Sequence, residues 1–144
     1  MEESIVKLVR ETFELREPDL KTYSPLTLAY IGDAIYDLVI RTMVVEKGNT
    51  APNKLHKKTS EIVKAKSQAE AYEKIKDVLS EEETEAFRRG RNAKSYTMAK
   101  NASMSDYRKA TGFEALLGYL YLSDRMDRVM ELTALALETK ANKK

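Results

Sequence analysis

The chain has 144 residues, with 25 Lys and Arg against 23 Asp and Glu, a formal net charge of +2. That length suits one domain able to bury its own core, and 42% hydrophobic residues exclude a disordered chain. Having no Cys excludes disulfides, thiolate metal sites and cysteine catalysis, and a single histidine, His56, argues against a His-based metal site or a Ser-His-Asp triad.

The periodicity is helical nearly throughout, and no period-2 run longer than a few residues competes with it, so the fold class is all-α. Ile5, Leu8, Val9, Thr12 and Phe13 line one face of a first helix. Ser24-Pro25 is a start signal, an N-cap followed by Pro at the first helical position. The helix it opens should run to about Glu46, with Gly48 marking its end. A third helix follows Pro52, its apolar face Ile62, Ala65, Ala69, Tyr72, Ile75 and Leu79. Ser80 caps a short helix with Glu81, Glu82 and Glu83 in its first turn, where the dipole favours acids. From Arg89 to Ser105 the pattern lapses into a loop. Ser103 with Asp106 starts a further helix to about Leu122. A last helix spans roughly Arg125 to Glu138, and the basic tail should fray. With no repeat or linker, residues 1–144 read as one domain, its core at about 20–138 and its tail at 139–144.

Two helices carry chemistry that a core would not choose. Leu26–Ile40 is apolar around most of its circumference and should be central and buried, yet it holds Asp33 and Asp37, with Tyr30 and Arg41 on neighbouring turns. An ionised carboxylate there costs several kcal/mol unless paired or bound to a cation. Gly32 costs roughly 1 kcal/mol relative to Ala in a helix, so another helix or a ligand should approach it closely. Phe113–Leu122 repeats the anomaly, with Glu114 its only charge and Gly118 four residues on. Two such helices could bring both carboxylates to one point, a donor set suited to Mg²⁺ or Mn²⁺. The plain alternative pairs Asp33 with Arg41 or a Lys from elsewhere, and has Glu114 cap a helix or bridge to Arg108 or Lys109.

Charge is segregated along the chain. No acid occurs between Glu85 and Asp106, a stretch holding Arg88, Arg89, Arg91, Lys94 and Lys100 among Asn92, Ser95, Tyr96, Thr97, Asn101 and Ser103. A second cluster comprises Lys54, His56, Lys57, Lys58, Lys64 and Lys66. Cations interleaved with small hydrogen-bonding side chains suit a phosphate backbone, whereas a solvated face is the ordinary reading of a charge run. No apolar run reaches the ~18–20 residues that span a bilayer. The acidic, amphipathic N-terminus does not read as a signal peptide, and absence of Cys fits a reducing cytoplasm.

At YIGDAIYDLVI (Tyr30–Ile40) and GFEALLGYLYL (Gly112–Leu122) the chain resembles the ribonuclease III catalytic domain. The segments NKLHKKTSEIVKAKSQAEA (Asn53–Ala71) and RRGRNAKSYTMAKNASMSDYRKATGFEALLGYL (Arg88–Leu120) look like its compact Mini-III subfamily. The resemblance, from about Leu26 to Leu122, implies a ribonuclease III-like helical bundle. It further implies a cytoplasmic homodimer that cuts both strands of double-stranded RNA with Mg²⁺, leaving 5′-phosphate and 3′-hydroxyl ends, in maturation of the large-subunit ribosomal RNA precursor. By the same resemblance Asp33 matches the signature aspartate and Glu114 the metal-binding glutamate of the second motif.

Two positions depart from the family pattern. Ala29 stands where a Glu is usual, and Thr111 where an Asp is usual. Fewer ligands imply a cation held more by water and by substrate phosphate. No appended RNA-binding domain is expected, so affinity should come from Lys54, Lys57, Lys58, Arg88, Arg89, Arg91, Asn92, Lys94 and Lys100. The missing carboxylates also leave open a non-catalytic RNA-binding or scaffold protein on the same fold.

Overall fold

The computed structural model describes residues 4–94 and 103–138. They form seven α-helices and no strand: α1 (Ile5–Thr12), α2 (Pro25–Lys47), α3 (Pro52–Val63), α4 (Ala65–Ile75), α5 (Glu81–Asn92), α6 (Met104–Leu122) and α7 (Met126–Ala136), with short 3₁₀ turns at Leu20–Thr22 and Lys76–Val78. Lys100 and the basic tail lie outside the described residues.

Helix starts follow local chemistry. The Ser24 hydroxyl accepts from the Leu26 amide at 3.1 Å, directly ahead of Pro25. Ser80 and Glu83 close a reciprocal capping box, at 3.1 and 2.9 Å. Ser103 accepts from the Asp106 amide at 3.0 Å. Glu83 also bridges two helices. Its buried carboxylate accepts from Arg128 Nε and Nη2 at 2.8 and 2.9 Å, which ties α5 to α7. Arg128 holds the Glu83 carboxyl below the usual carboxylate range.

Helix α6 is the hub, packed by α2, α5, α4 and α7. Ile35, Tyr36, Ile40 and Val44 of α2 meet Phe113, Leu116, Leu117 and Leu120 of α6, and Val129 and Leu132 of α7 complete the core. Tyr36 and Phe113 pack edge to face, with centroids 5.1 Å apart and planes at 85°. The crossing of α2 over α6 is made backbone against backbone. A Cβ on Gly32 would collide with the Glu114 carbonyl, and one on Gly118 with the Leu28 carbonyl. The close approach anticipated at Gly32 is therefore that of another helix.

Three features differ from the sequence expectations. The single helix expected after Pro52 is two, broken at Lys64, whose backbone is extended (φ −65°, ψ 157°). Side chains take over the carbonyls that the break releases: Ser67 Oγ donates to Glu61 O at 2.6 Å, and Gln68 Nε2 to Val63 O at 2.7 Å. Helix α5 continues through Asn92, past the point where a loop was expected, because Gly90 is buried against Gly112 and Ala115 of α6. In α1 the apolar face is turned outward: Ile5, Leu8, Val9 and Phe13 are exposed, and only Val6 is buried. The helix is held by Arg10 Nη2 donating to Leu122 O at 2.7 Å and by the Lys7–Asp124 ion pair at 3.4 Å. Helix α2, expected to be buried almost all round, is buried on one side only. Leu26, Tyr30, Leu38 and Val45 stay exposed on the other.

Candidate active site

The Gly32–Gly118 crossing sets the place of the acids. Asp33 follows Gly32 on α2, and Glu114 lies one turn before Gly118 on α6. With no side chain between the two backbones, the Asp33 carboxyl comes within hydrogen-bonding reach of Glu114. Asp33 is exposed and Glu114 is half-buried, so the pair has one face in the protein and one open to solvent.

Neither acid takes the cation that the plain alternative offered it. Arg41 pairs with Asp37, Nε to Oδ2 at 2.7 Å. Lys109 pairs with Glu73 at 3.1 Å. Asp37 is thereby engaged one turn from Asp33 in a partly exposed ion pair. Glu114 has a neutral partner instead: Gln68 Nε2 donates to its Oε2 at 3.0 Å. Burial raises the Glu114 carboxyl well above the ordinary carboxylate range. The Gln68 hydrogen bond opposes this, and the charge and hydrogen bond of Asp33 add to it. A buried acid that resists ionisation beside a second acid is a site where a divalent cation can replace a proton. Asp33 and Glu114 are the residues that could hold one.

The two departures from the family pattern are also visible. Ala29 is buried, packed with Leu28 and Ala115. Thr111 is buried one turn before Glu114, its hydroxyl donating to Tyr107 O at 3.0 Å. Among the described residues no group of three or more His, Cys, Asp and Glu is assembled for a metal.

Of the basic residues, Lys54, Lys57 and Lys58 are exposed along α3 and enter no ion pair among the described residues. The second stretch is more occupied. Arg88 pairs with Glu85 at 2.6 Å. Arg89 Nη2 donates to Tyr23 O at 2.7 Å, fastening α5 to the chain ahead of α2. Arg91 lies over the Phe87 ring, 5.9 Å from its centroid, and its Nε donates to Asn92 Oδ1 at 3.2 Å. Lys94 is exposed.

Gln68 escaped the sequence reading. Its only signal was an amide beside Ala69 on a face otherwise read as apolar, and its partners depend on the break at Lys64.

Residues 26–125 match the ribonuclease III domain family. The chain is 51% identical over 125 residues to Mini-ribonuclease 3 of Clostridium tetani, covering 86% of this chain and 83% of that one. To Mini-ribonuclease 3 of Thermoanaerobacter it is 48% identical over 138 residues, covering 96% and 97%. A crystal structure of a protein from Fusobacterium nucleatum superposes with a TM-score of 0.77 at 31% identity, covering 85% of this chain and 99% of that one. The chain belongs to the ribonuclease III family, in its Mini-ribonuclease 3 branch. No helix among the described residues is long and apolar enough to cross a membrane.

The raised Glu114 value makes a pH-dependent prediction. A carboxyl whose folded value exceeds its unfolded one contributes stability fully below the unfolded value. That contribution is lost as pH rises toward the folded value. A Gln at this position can accept from Gln68 and donate to Asp33 without a charge. In chelator-treated protein, Glu114→Gln should raise stability by on the order of 1–3 kcal/mol at about pH 8 and change it little at about pH 4. Thermal denaturation at the two pH values checks this; a gain of equal size at both would refute it.

Proposed function

We propose that the chain is a divalent-cation-dependent endoribonuclease that cleaves double-stranded RNA, with Mg²⁺, or Mn²⁺ in its place, held by Asp33 and Glu114. The observation carrying this is the meeting of two carboxylates from distant segments at a half-open site, with a neutral amide as the partner of the buried one. The donor set fits the cation: both ligands are hard oxygens, and the resistance of Glu114 to ionisation is relieved when positive charge arrives. When bound, the cation supplies charge neutralisation at the scissile phosphate and a lowered pKa for the attacking water. The chain's own residues do the rest. Asp33 presents its carboxylate on the solvent side, where a phosphate can reach it. Glu114 is held from within by Gln68, and the glycine crossing fixes their separation. In the hydrolysis, water adds to phosphorus and the bond to the 3′ oxygen breaks, leaving a 3′-hydroxyl and a 5′-phosphate.

The substrate reading rests on family membership together with the three unpaired cations of α3. Lys54, Lys57 and Lys58 suit the phosphates of A-form RNA, whose shallow minor groove is read mainly by shape and 2′-hydroxyls. Arg88, Arg89, Arg91, Asn92, Lys94 and Lys100 belong to the same proposed surface, several of them already tied to protein partners. The natural substrate would be a large-subunit ribosomal RNA precursor, in the bacterial cytoplasm.

We read the working form as a homodimer. On α2, Leu26, Tyr30, Ala34, Leu38 and Val45 recur at helical spacing and are exposed, Tyr30 by 80%. An apolar stripe along a central helix calls for a cover, and a symmetry mate would set one site against each RNA strand. The competing reading, an RNA-binding protein without catalysis, draws on Ala29 and Thr111.

Cleavage of duplex RNA in Mg²⁺ should fall about a thousandfold in Asp33→Asn, since a catalytic cation is worth several kcal/mol. Binding with no cleavage by the unmutated protein would favour the competing reading. The log affinity for duplex RNA should fall linearly with log salt, and each of Lys54→Ala, Lys57→Ala and Lys58→Ala should make that slope shallower by about one. An unchanged slope removes that lysine from the RNA surface. Tyr30→Glu should convert a dimer to a monomer in sedimentation velocity; an unmutated protein that sediments as a monomer at every concentration defeats the dimer reading.

A further inference from the structure

The side chain of Gln68 is nearly sequestered, at 2% exposure. Nε2 has two hydrogens and meets two acceptors, Val63 O at 2.7 Å and Glu114 Oε2 at 3.0 Å. The amide orientation is therefore fixed, because the flipped group would set oxygen against oxygen at both contacts. Val63 O is available because the helix breaks at Lys64. Ser67 stabilises the same break by bonding Glu61 O at 2.6 Å. The clamp thus runs from a released backbone carbonyl, through one amide, to one oxygen of Glu114. The third amide atom, Oε1, is buried and has no partner among the described residues. An unsatisfied buried acceptor costs about 1–3 kcal/mol, which the two bonds donated by Nε2 offset.

We propose that Gln68 is a positioning residue for the divalent-cation site: it holds Glu114 by one oxygen, in one orientation, so that the other oxygen and Asp33 are directed at the same ion. The inference rests on the assignment of Asp33 and Glu114 as ligands, and deepens it. With two carboxylates in place of a larger set, the site has no spare ligand to compensate for a Glu114 that turns away. Groups that orient a ligand from behind are worth roughly 10–100-fold in metal affinity, and Gln68 should lie in that range.

The test uses the full-length protein without RNA, with Mn²⁺ as the probe and water-proton relaxation as the readout, alongside Mg²⁺-dependent single-turnover cleavage of duplex RNA. Gln68→Met preserves length and removes the donor. It should weaken Mn²⁺ binding about tenfold or more. The Mg²⁺ concentration for half-maximal cleavage should shift by the same factor, with the rate at saturating Mg²⁺ largely restored. A purely structural role would lower the melting temperature and leave both cation midpoints unmoved; that result in a folded variant overturns the proposal. Should Gln68→Met not fold, the unmutated protein gives the answer. The Gln68 side-chain amide resonances, assigned through bonds, should shift on Mg²⁺ addition and stay fixed in Asp33→Asn; amide signals that ignore Mg²⁺ in the unmutated protein overturn it equally. Asp33→Asn and Glu114→Gln separate the two levels of the argument. If they bind Mn²⁺ as the unmutated protein does, the ligand assignment itself fails; if they lose binding and Gln68→Met does not, only the role of Gln68 falls.

Discussion

The contact between the backbones of α2 and α6 governs the rest of the molecule. Two glycines make it possible, each lying where a methyl group would collide with a carbonyl of the facing helix. Each costs roughly 1 kcal/mol relative to Ala in a helix interior, and together they remove the layer of side chains that normally separates helices by 8–10 Å. The consequence is chemical. Asp33 and Glu114 are neighbours of these glycines in sequence, so close backbones bring short acidic side chains together. A larger residue at Gly32 or Gly118 would meet a backbone carbonyl of the facing helix, forcing the crossing apart and the carboxylates with it. Packing and site geometry are one constraint.

The cost of that constraint falls on Glu114. A carboxyl in a core helix beside another acid is poorly placed for stability. The protein answers with a neutral amide donor, not a lysine or an arginine. A cationic partner would stabilise the charge permanently and compete with any incoming cation. An amide bonds the carboxyl without bringing a positive charge to it. Nearby acids are treated differently: Asp37 is paired with Arg41, Glu73 with Lys76 and Lys109, and Glu83 with Arg128. Four basic side chains are thus committed to acids close to the site or on the helices around it, while the Asp33–Glu114 pair is left with none of them.

What the sequence discloses depends on the range of the interaction involved. Caps at Ser24, Ser80 and Ser103 involve residues within three positions, and the helices begin there. Gly32 and Gly118 stood out because glycine in an apolar helix breaks a local rule, and local rules are broken where the tertiary structure asks for it. The break at Lys64 left no such mark. Neither Pro nor Gly announces it, and Ile62, Ala65 and Ala69 keep a helical period across it; the bonds from Ser67 and Gln68 that sustain it are tertiary in effect. Gln68 was hidden for the same reason. Amphipathicity gave α1 an apolar face but could not say what faces it, and Ile5, Leu8 and Phe13 lie exposed. The helical pattern lapses from Arg89 in the sequence, whereas Gly90 is a packing position against α6 that carries α5 on to Asn92.

Charge patterning needs the same distinction between composition and commitment. In sequence, the acid-free stretch after Glu85 and the cluster from Lys54 to Lys66 are both candidates for a polyanion. In the fold, the arginines of the former reach partners outside the stretch or over a ring: Arg88 turns back to Glu85, Arg89 holds the carbonyl of Tyr23, and Arg91 covers Phe87. Arginine's planar fork and weak hydration suit such anchoring. The lysines of α3 have no such engagement, although Glu61 lies on the same helix. That acid is taken by Lys64, at 2.9 Å. Free positive charge therefore concentrates on the helix that ends at the Lys64 break, and the segment just beyond that break supplies the amide gripping Glu114. An RNA strand drawn to Lys54, Lys57 and Lys58 would meet the same stretch of chain that orients the acid. The exposed lysines of α3 and the amide that bonds Glu114 thereby lie in one short segment, divided by the single extended residue Lys64.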